Sequence, residues 1–368
     1  MNTPVIKDFI EKKRRLYEYM SEQGYEAVVL SQRENFSWLT GGGDNKVLRN
    51  IDTGAGVLLI TREQVYLIAQ YMDLDRIYDD ELQGLDIEKI SLKWYEQSPQ
   101  EKAIEMAGNK RIVSDAPLSG ADCKLWDIYW MHYPLTESEI SRYKRIGSTV
   151  DEILHRVALR IEPGMTEISI EAELAYEYAK MNMLPKVLLV GSDDRIAKYR
   201  HPVASNKKVE RTVLLHVAAE QNGLHANITR MVSFGDGMDG ELYEKYELLN
   251  LLQAQAMAMT VPGALFSDIF EVRKKILLEN GYATEWESHY PGSFTGYFLG
   301  SAQPFSNGDT IKEKMATDYF ITLRGAKTEE LCISDSKGGE LISCGQFWPT
   351  KKYEWKAHSY QLPIILKR

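Results

Sequence analysis

A helix, a Pro-Gly corner and a second helix occur twice in this chain, first in VALRIEPGMTEISIEAELAYEYAKMNM and again in MAMTVPGALFSDIFEVRKKILLENGY. Pro163 and Pro262 stand at equivalent places, and strand-like segments follow each copy. Two copies are too few for a solenoid, so the pattern predicts a duplicated half-domain. Two halves packed around one sheet would place a pocket at their pseudo-symmetry axis, between strands from both. The same pattern also suits two unrelated helical hairpins that share a common turn.

The strands after the first copy carry the most informative stretch, LLHVAAEQNGLHANITRM, residues 214–231. Its Asn222-Gly223 pair between apolar runs is a strong hairpin signal. His216 and Asn227 lie on opposite arms, and whichever register the turn takes, their odd separation leaves both side chains on one face. The hairpin thus offers a histidine and an amide where two carboxylates would begin a metal site.

With 368 residues the chain exceeds a usual single domain, and two cores are expected. IKDFIEKKRRLYEYMSEQGY reads as an amphipathic helix ending near Gly24, EAVVLS as a strand, GAGVLLIT with QVYLIAQ as a hairpin, and IEKISL and KRIVSD as further strands. These form a mixed α/β domain over residues 1–134. Pro134 breaks the chain, Thr136 with Glu139 makes a capping box, and a long helix opens a second domain over 135–368. The fold class is α/β (α+β).

Charged residues at 26% and hydrophobic ones at 44% fit a globular protein and exclude disordered and fibrous classes. The net charge of −9 argues against general affinity for nucleic acid or an anionic membrane. Cys123, Cys332 and Cys344 are widely spaced, include no Cys-x-x-Cys pair and read as core thiols of a reducing compartment. No stretch has the length of a signal peptide core or membrane span, so the expected location is cytoplasmic.

In order, NFSWLTGGGDNKV, IEPGMTE, KYRHP, NGLHANITR, TGYFLG and GAKTEELCIS resemble the pita-bread family of methionine aminopeptidase, Xaa-Pro peptidases such as prolidase and aminopeptidase P, and creatinase. The resemblance covers nearly the whole chain. It implies a creatinase-type N-terminal domain, a pita-bread catalytic domain with an internal pseudo-twofold repeat, and a homodimer. In the metallopeptidase members two Asp, one His and two Glu hold two divalent cations. Carried over, the first Asp falls on His216, the second on Asn227, the His on Tyr297, and the first Glu on Phe320 or Leu323. Only the last Glu is matched, by Glu329. Two dications need several anionic oxygens to offset their repulsion, so a dinuclear centre is not expected and no cofactor is assigned. A lone zinc on His216 and Glu329 would lack two further ligands.

Creatinase, as the resemblance implies, works without metal, with a histidine as acid and base. His201 in YRHP matches that histidine, and Glu329 matches a creatinase glutamate, while Thr229 replaces a second one. His201 and Glu329 are therefore the catalytic candidates. His216, Asn227, Tyr297 and Arg230 are candidates for binding substrate. Plainer readings stand beside these: His201 capping a loop, Glu329 pairing with Lys327 or Arg230 at the surface, His216 and Tyr297 packed, and Arg230 in a structural salt bridge. The expected activity is metal-independent hydrolysis of a C–N bond in a small polar molecule. The alternatives are an Xaa-Pro peptidase acting on short peptides and a non-catalytic binder of small molecules or peptides. TGGGDNKV reads as a loop without phosphate-binding spacing. The resemblance implies that this segment, with Trp38, Asp44 and Arg49, lines a partner's pocket. The C-terminal KKYEWKAHSYQLPIILKR reads as edge-strand closure.

Overall fold

The computed structural model describes residues 3–299 and 310–368. Gly300, the last residue of TGYFLG, lies outside them. The chain divides into two compact units, Met1–Glu139 with Asn222–Leu224, and Ile140–Gln221 with His225–Arg368. Among the described residues no helix is long and apolar enough to cross a membrane.

The first unit runs α1 (Thr3–Gln23), β1 (Ala27–Gln32), α2 (Arg33–Leu39), β2 (Thr53–Thr61), β3 (Val65–Gln70), α3 (Tyr71–Glu81), β4 (Glu88–Leu92), α4 (Pro99–Ala107), β5 (Ile112–Ser114), β6 (Asp122–Cys123) and α5 (Leu125–Trp130). Its sheet has the order β4-β3-β2-β1-β5-β6. The β2–β3 pair is the expected antiparallel hairpin, whereas β3–β4 and β1–β5 are parallel. Val29, Val57, Leu59 and Ile68 pack on Ala103 and Ala107 of α4, which closes one apolar face. Residues 40–47 form a loop, as expected. Trp38 cannot reach a neighbouring pocket, because it is wholly buried and packs on His132 at 4.9 Å between ring centroids. Cys123 departs from the core-thiol reading: it is exposed on the edge strand β6, while Cys332 is buried.

Thr136 and Glu139, at the end of the first unit, exchange the two bonds of a capping box at the start of α6 (Glu137–Ala158), which runs on into the second unit. It continues with α7 (Glu167–Lys180), β7 (Leu184–Ser192), α8 (Asp194–Lys198), β8 (Thr212–Gln221), β9 (Leu224–Ser233), α9 (Gly240–Met259), α10 (Phe266–Glu279), β10 (Ser293–Phe294), β11 (Ala316–Leu323) and β12 (Ala326–Asp335). The remaining strands are β13 (Gly338–Leu341), β14 (Thr350–Trp355), β15 (His358–Pro363) and β16 (Leu366–Lys367).

The repeat is real. Each half is helix, corner, helix and then three strands, and the main sheet runs β10-β11-β12-β9-β8-β7, with the halves meeting at β12 and β9. The corners are built alike. Gly164 N donates to Val209 O at 2.8 Å and Val209 N to Met165 O at 2.9 Å; Gly263 N donates to Ile311 O at 2.8 Å and Ile311 N to Ala264 O at 2.9 Å. Both glycines take positive φ, 97° and 88°, which side-chain-bearing residues avoid. Helix α9 covers one face of the sheet, where Tyr246, Leu249 and Leu252 pack with Ile321 and Leu323. At the C-terminus a separate β14–β15 hairpin forms, and only β16 joins the main sheet, parallel to β9.

Two-residue turns set the register of both central hairpins. Asn222 and Gly223 have φ of 50° and 79°, the type I′ turn that suits strand twist. In β11–β12, Leu323 faces Ala326 across Arg324 and Gly325. Gly325 has φ of 91°, and a Cβ there would meet nothing nearer than Ala197 at 3.9 Å. Gly325→Ala should therefore lower stability by conformational strain alone, about 1 kcal/mol, read as a lower urea midpoint with an unchanged m-value.

Candidate active site

Strand parity gathers one set of side chains on the open side of the sheet. The I′ turn sets His216 against Thr229, and His216 Nδ1 lies 3.1 Å from Thr229 Oγ1. Thr229 in turn pairs with Glu329 across the seam between the halves, the one β9–β12 bridge among the described residues. Glu329 Oε2 accepts from Lys327 Nζ at 2.6 Å, from Thr229 Oγ1 at 2.9 Å and from His216 Nδ1 at 3.0 Å. Since that Nδ1 carries the proton, Nε2 is left as the acceptor of the His216 ring. Burial holds His216 below its ordinary pKa, against the pull of the Glu329 charge.

The second hairpin adds a residue missed in the sequence. Counting outward from the two turns pairs His216 with Asp318 and Asn227 with Glu329 as symmetry equivalents. Phe320 and Leu323 are thus not the positions that answer to the first carboxylate. Asp318 is, and it lies just before the carboxylate-free stretch from Tyr319 to Lys327. Asn227 Nδ2 donates to Asp318 Oδ2 at 2.6 Å. Burial and the neighbouring Glu329 charge push Asp318 well up, while His216 and Lys327 hold Glu329 well down despite its burial. Of the two carboxyl groups, burial and charge thus favour the protonated form at Asp318 and the ionised form at Glu329.

His201 and His289 lie at the edge of this cluster. Their Nε2 atoms are 3.3 Å apart, and the His289 ring stands edge-on to Phe320 at 5.1 Å, Phe320 being the strand partner of Glu329. Arg200, next to His201, pairs with Glu285 at 2.6 Å and so ties the two histidine segments together. Burial and the Lys327 charge hold both rings below the ordinary value, His289 at about 4. A further anchor is Glu167, wholly buried, which accepts from Ser192 N at 2.8 Å, Ser205 N at 3.0 Å and Arg195 Nε at 3.1 Å, on both sides of His201 in the chain.

Two expected binding residues have partners outside this cluster. Tyr297, buried in the loop after β10, has its hydroxyl bonded to Arg142 Nη2 of α6 at 2.5 Å. Arg230 points to the opposite face from Thr229, as adjacent strand residues must. There it pairs with Asp151 at 2.8 Å and Glu330 at 2.6 Å, and all three side chains are at most 2% exposed. Its position does not suit a substrate contact, and Glu329 pairs with Lys327 in the interior, not at the surface.

With this geometry in view, comparison with known proteins is direct. Residues 141–322 match Metallopeptidase family M24, and residues 12–115 match the Creatinase/Prolidase N-terminal domain. The chain belongs to the creatinase/Xaa-Pro peptidase family of pita-bread proteins. It is 23% identical to the Xaa-Pro dipeptidase of Pyrococcus horikoshii over 90% of its own length and 97% of that protein's. The crystal structure of prolidase from Pyrococcus horikoshii superposes with a TM-score of 0.75, at 20% identity over 91% of this chain and 99% of that one. Xaa-Pro dipeptidase from Bacillus anthracis gives 0.74 at 18% identity, covering 98% of this chain and 100% of that one.

Arg230→Met would leave Asp151 and Glu330 buried without their cation. The expected loss is about 3–5 kcal/mol, measured by chemical denaturation, with the second unit unfolding early.

Proposed function

We propose that the protein hydrolyses a C–N bond in a small polar amide by protein groups alone, with His201 as acid and base. Short Xaa-Pro peptides are the first substrates to test, since the relatives that match most of the chain are named for them. The observation that carries the reading is the His201–His289 pair. His289 Nδ1 faces Tyr290 O at 3.0 Å, and a carbonyl can only accept, so the His289 proton sits on Nδ1 and its Nε2 is an acceptor. His201 Nε2–H then donates to it, which leaves His201 Nδ1 as an open lone pair on a neutral ring. In hydrolysis that atom takes a proton from water as the hydroxide adds to the amide carbon, and returns it to the leaving nitrogen as the C–N bond breaks. Asn227 Oδ1, buried and without a hydrogen-bond partner among the described residues, can accept from a substrate N–H.

The donor set does not fit a pair of divalent cations. Asn227 and Thr229 bring no charge, burial disfavours the charged forms of His216 and Asp318, and the Glu329 charge is already matched by Lys327. Glu329, having three donors on one oxygen, is better suited to holding the cluster together than to gripping a cationic substrate. A second reading, a metal-dependent Xaa-Pro peptidase, is favoured by family membership and by Asp318, which restores a second carboxylate to the site. We take the first because the charge balance of the cluster is complete without metal.

Purified protein should cleave one of a panel of Xaa-Pro dipeptides and small amides equally well with and without EDTA. His201→Ala should lower kcat by about 100-fold or more. Since His201 titrates below its ordinary value, activity should fall as pH drops through that depressed pKa, and its base function should be intact at pH 7. Turnover that appears only with added manganese, cobalt or zinc would establish the second reading, and binding without turnover of any substrate would leave a binding protein.

A further inference from the structure

We infer that the ammonium of Lys327 is the resident cation of this cradle, standing where divalent cations would otherwise neutralise its carboxylates. The inference rests on the metal-independent reading and deepens it. Lys327 and Glu329 share a face of β12 because they are two positions apart. A lysine on a strand ordinarily runs its stem out to water. This one turns back into the cluster: Nζ lies 2.6 Å from Glu329 Oε2, and the two side chains are only 5% and 4% exposed. The oxygen it meets is the one on which Thr229 and His216 also converge.

The surroundings fit one monovalent cation. An ammonium carries three donors and no acceptor, so a single carboxylate oxygen such as Glu329 Oε2 can meet it without several anions around it. Asn227, Thr229 and His216 are neutral groups at the positions around Glu329, and Asp318 completes the set through its bond from Asn227. A dication placed against Glu329 would lie at contact distance from the ammonium among buried side chains, where like charges repel strongly. Lys327 thus both supplies the positive charge that a buried carboxylate requires and excludes metal from it. It acts through Glu329 and is a positioning residue.

The test is metal uptake. Wild-type protein, Lys327→Ala and Lys327→Arg are equilibrated with manganese or zinc, and bound metal is measured by mass spectrometry and titration calorimetry. The wild type and Lys327→Arg should take up no stoichiometric metal. Lys327→Ala should bind a divalent cation at least about tenfold more tightly than the wild type, and adding Asp318→Asn should abolish the gain. Stoichiometric metal in the wild type, or no gain in Lys327→Ala, overturns the inference. Should Lys327→Ala fail to fold, lysine-selective ¹⁵N NMR of the wild type decides: a protected ammonium signal that is lost in Lys327→Arg supports the inference, and its absence refutes it. Chelator-resistant turnover without a metal gain in the variant sinks this inference alone. A metal gain in the variant with no turnover by the wild type sinks only the proposed function.

Discussion

The carboxylate of Glu329 sits at the seam of the duplicated halves, at the bridge where β12 meets β9. A bare charge in such a place costs several kcal/mol, so the neighbouring residues must answer it. Lys327 does so from the same strand, Thr229 from across the bridge and His216 from the next strand out. Burial and the Glu329 charge beside it push the pKa of Asp318 well up. The polarity of the whole open face follows from that one group. The strands, in turn, are held in register by two short turns and repeated Pro-Gly corners, so the fold fixes the chemistry through parity alone.

The opposite face solves the same problem with other residues. Thr229 and Arg230 are adjacent, as are Glu329 and Glu330, and each pair sends one side chain to either side of the sheet. Behind the sheet, Arg230 answers Asp151 and Glu330, and its guanidinium lies 5.8 Å from the Trp348 ring. From α9, Gln253 Nε2 donates to Tyr319 O at 2.6 Å. A strand whose successive residues are charged on both faces is unusual, and it survives here because each face is closed electrostatically on its own.

Much of this was legible in the sequence, and the failures have physical causes. The Asn-Gly turn fixed the shared face of His216 and Asn227 before any coordinates, because parity does not depend on the exact register. The repeat announced a central seam. Asp318 was missed because its position was sought by counting gaps within a motif, whereas counting from the Arg324-Gly325 turn finds it by symmetry with His216. Of the alternatives in which Glu329 pairs with Lys327 or Arg230 at the surface, the Lys327 partner is found but in the interior, which strand spacing alone does not reveal. His289 has no sequence signal of its own, since its closeness to His201 depends on the ion pair between Arg200 and Glu285. Cys123 was assigned to a core by residue type, but its strand is an edge of the sheet.

These substitutions belong together. Replacing one metal-binding carboxylate by a histidine or an amide would leave the remaining charges unbalanced, and a lysine alone beside two full carboxylates would leave a surplus of negative charge. The combination seen here matches one ammonium with one carboxylate beside imidazole and amide groups. On the proposed reading such a cluster needs no external ion, and the proton chemistry belongs to the histidines at its edge. There the His201 and His289 rings remain neutral because burial and the lysine charge both disfavour their protonated forms. The same buried ammonium that meets the carboxylate thus adds to the effect of burial in disfavouring the charged form of the imidazoles beside it.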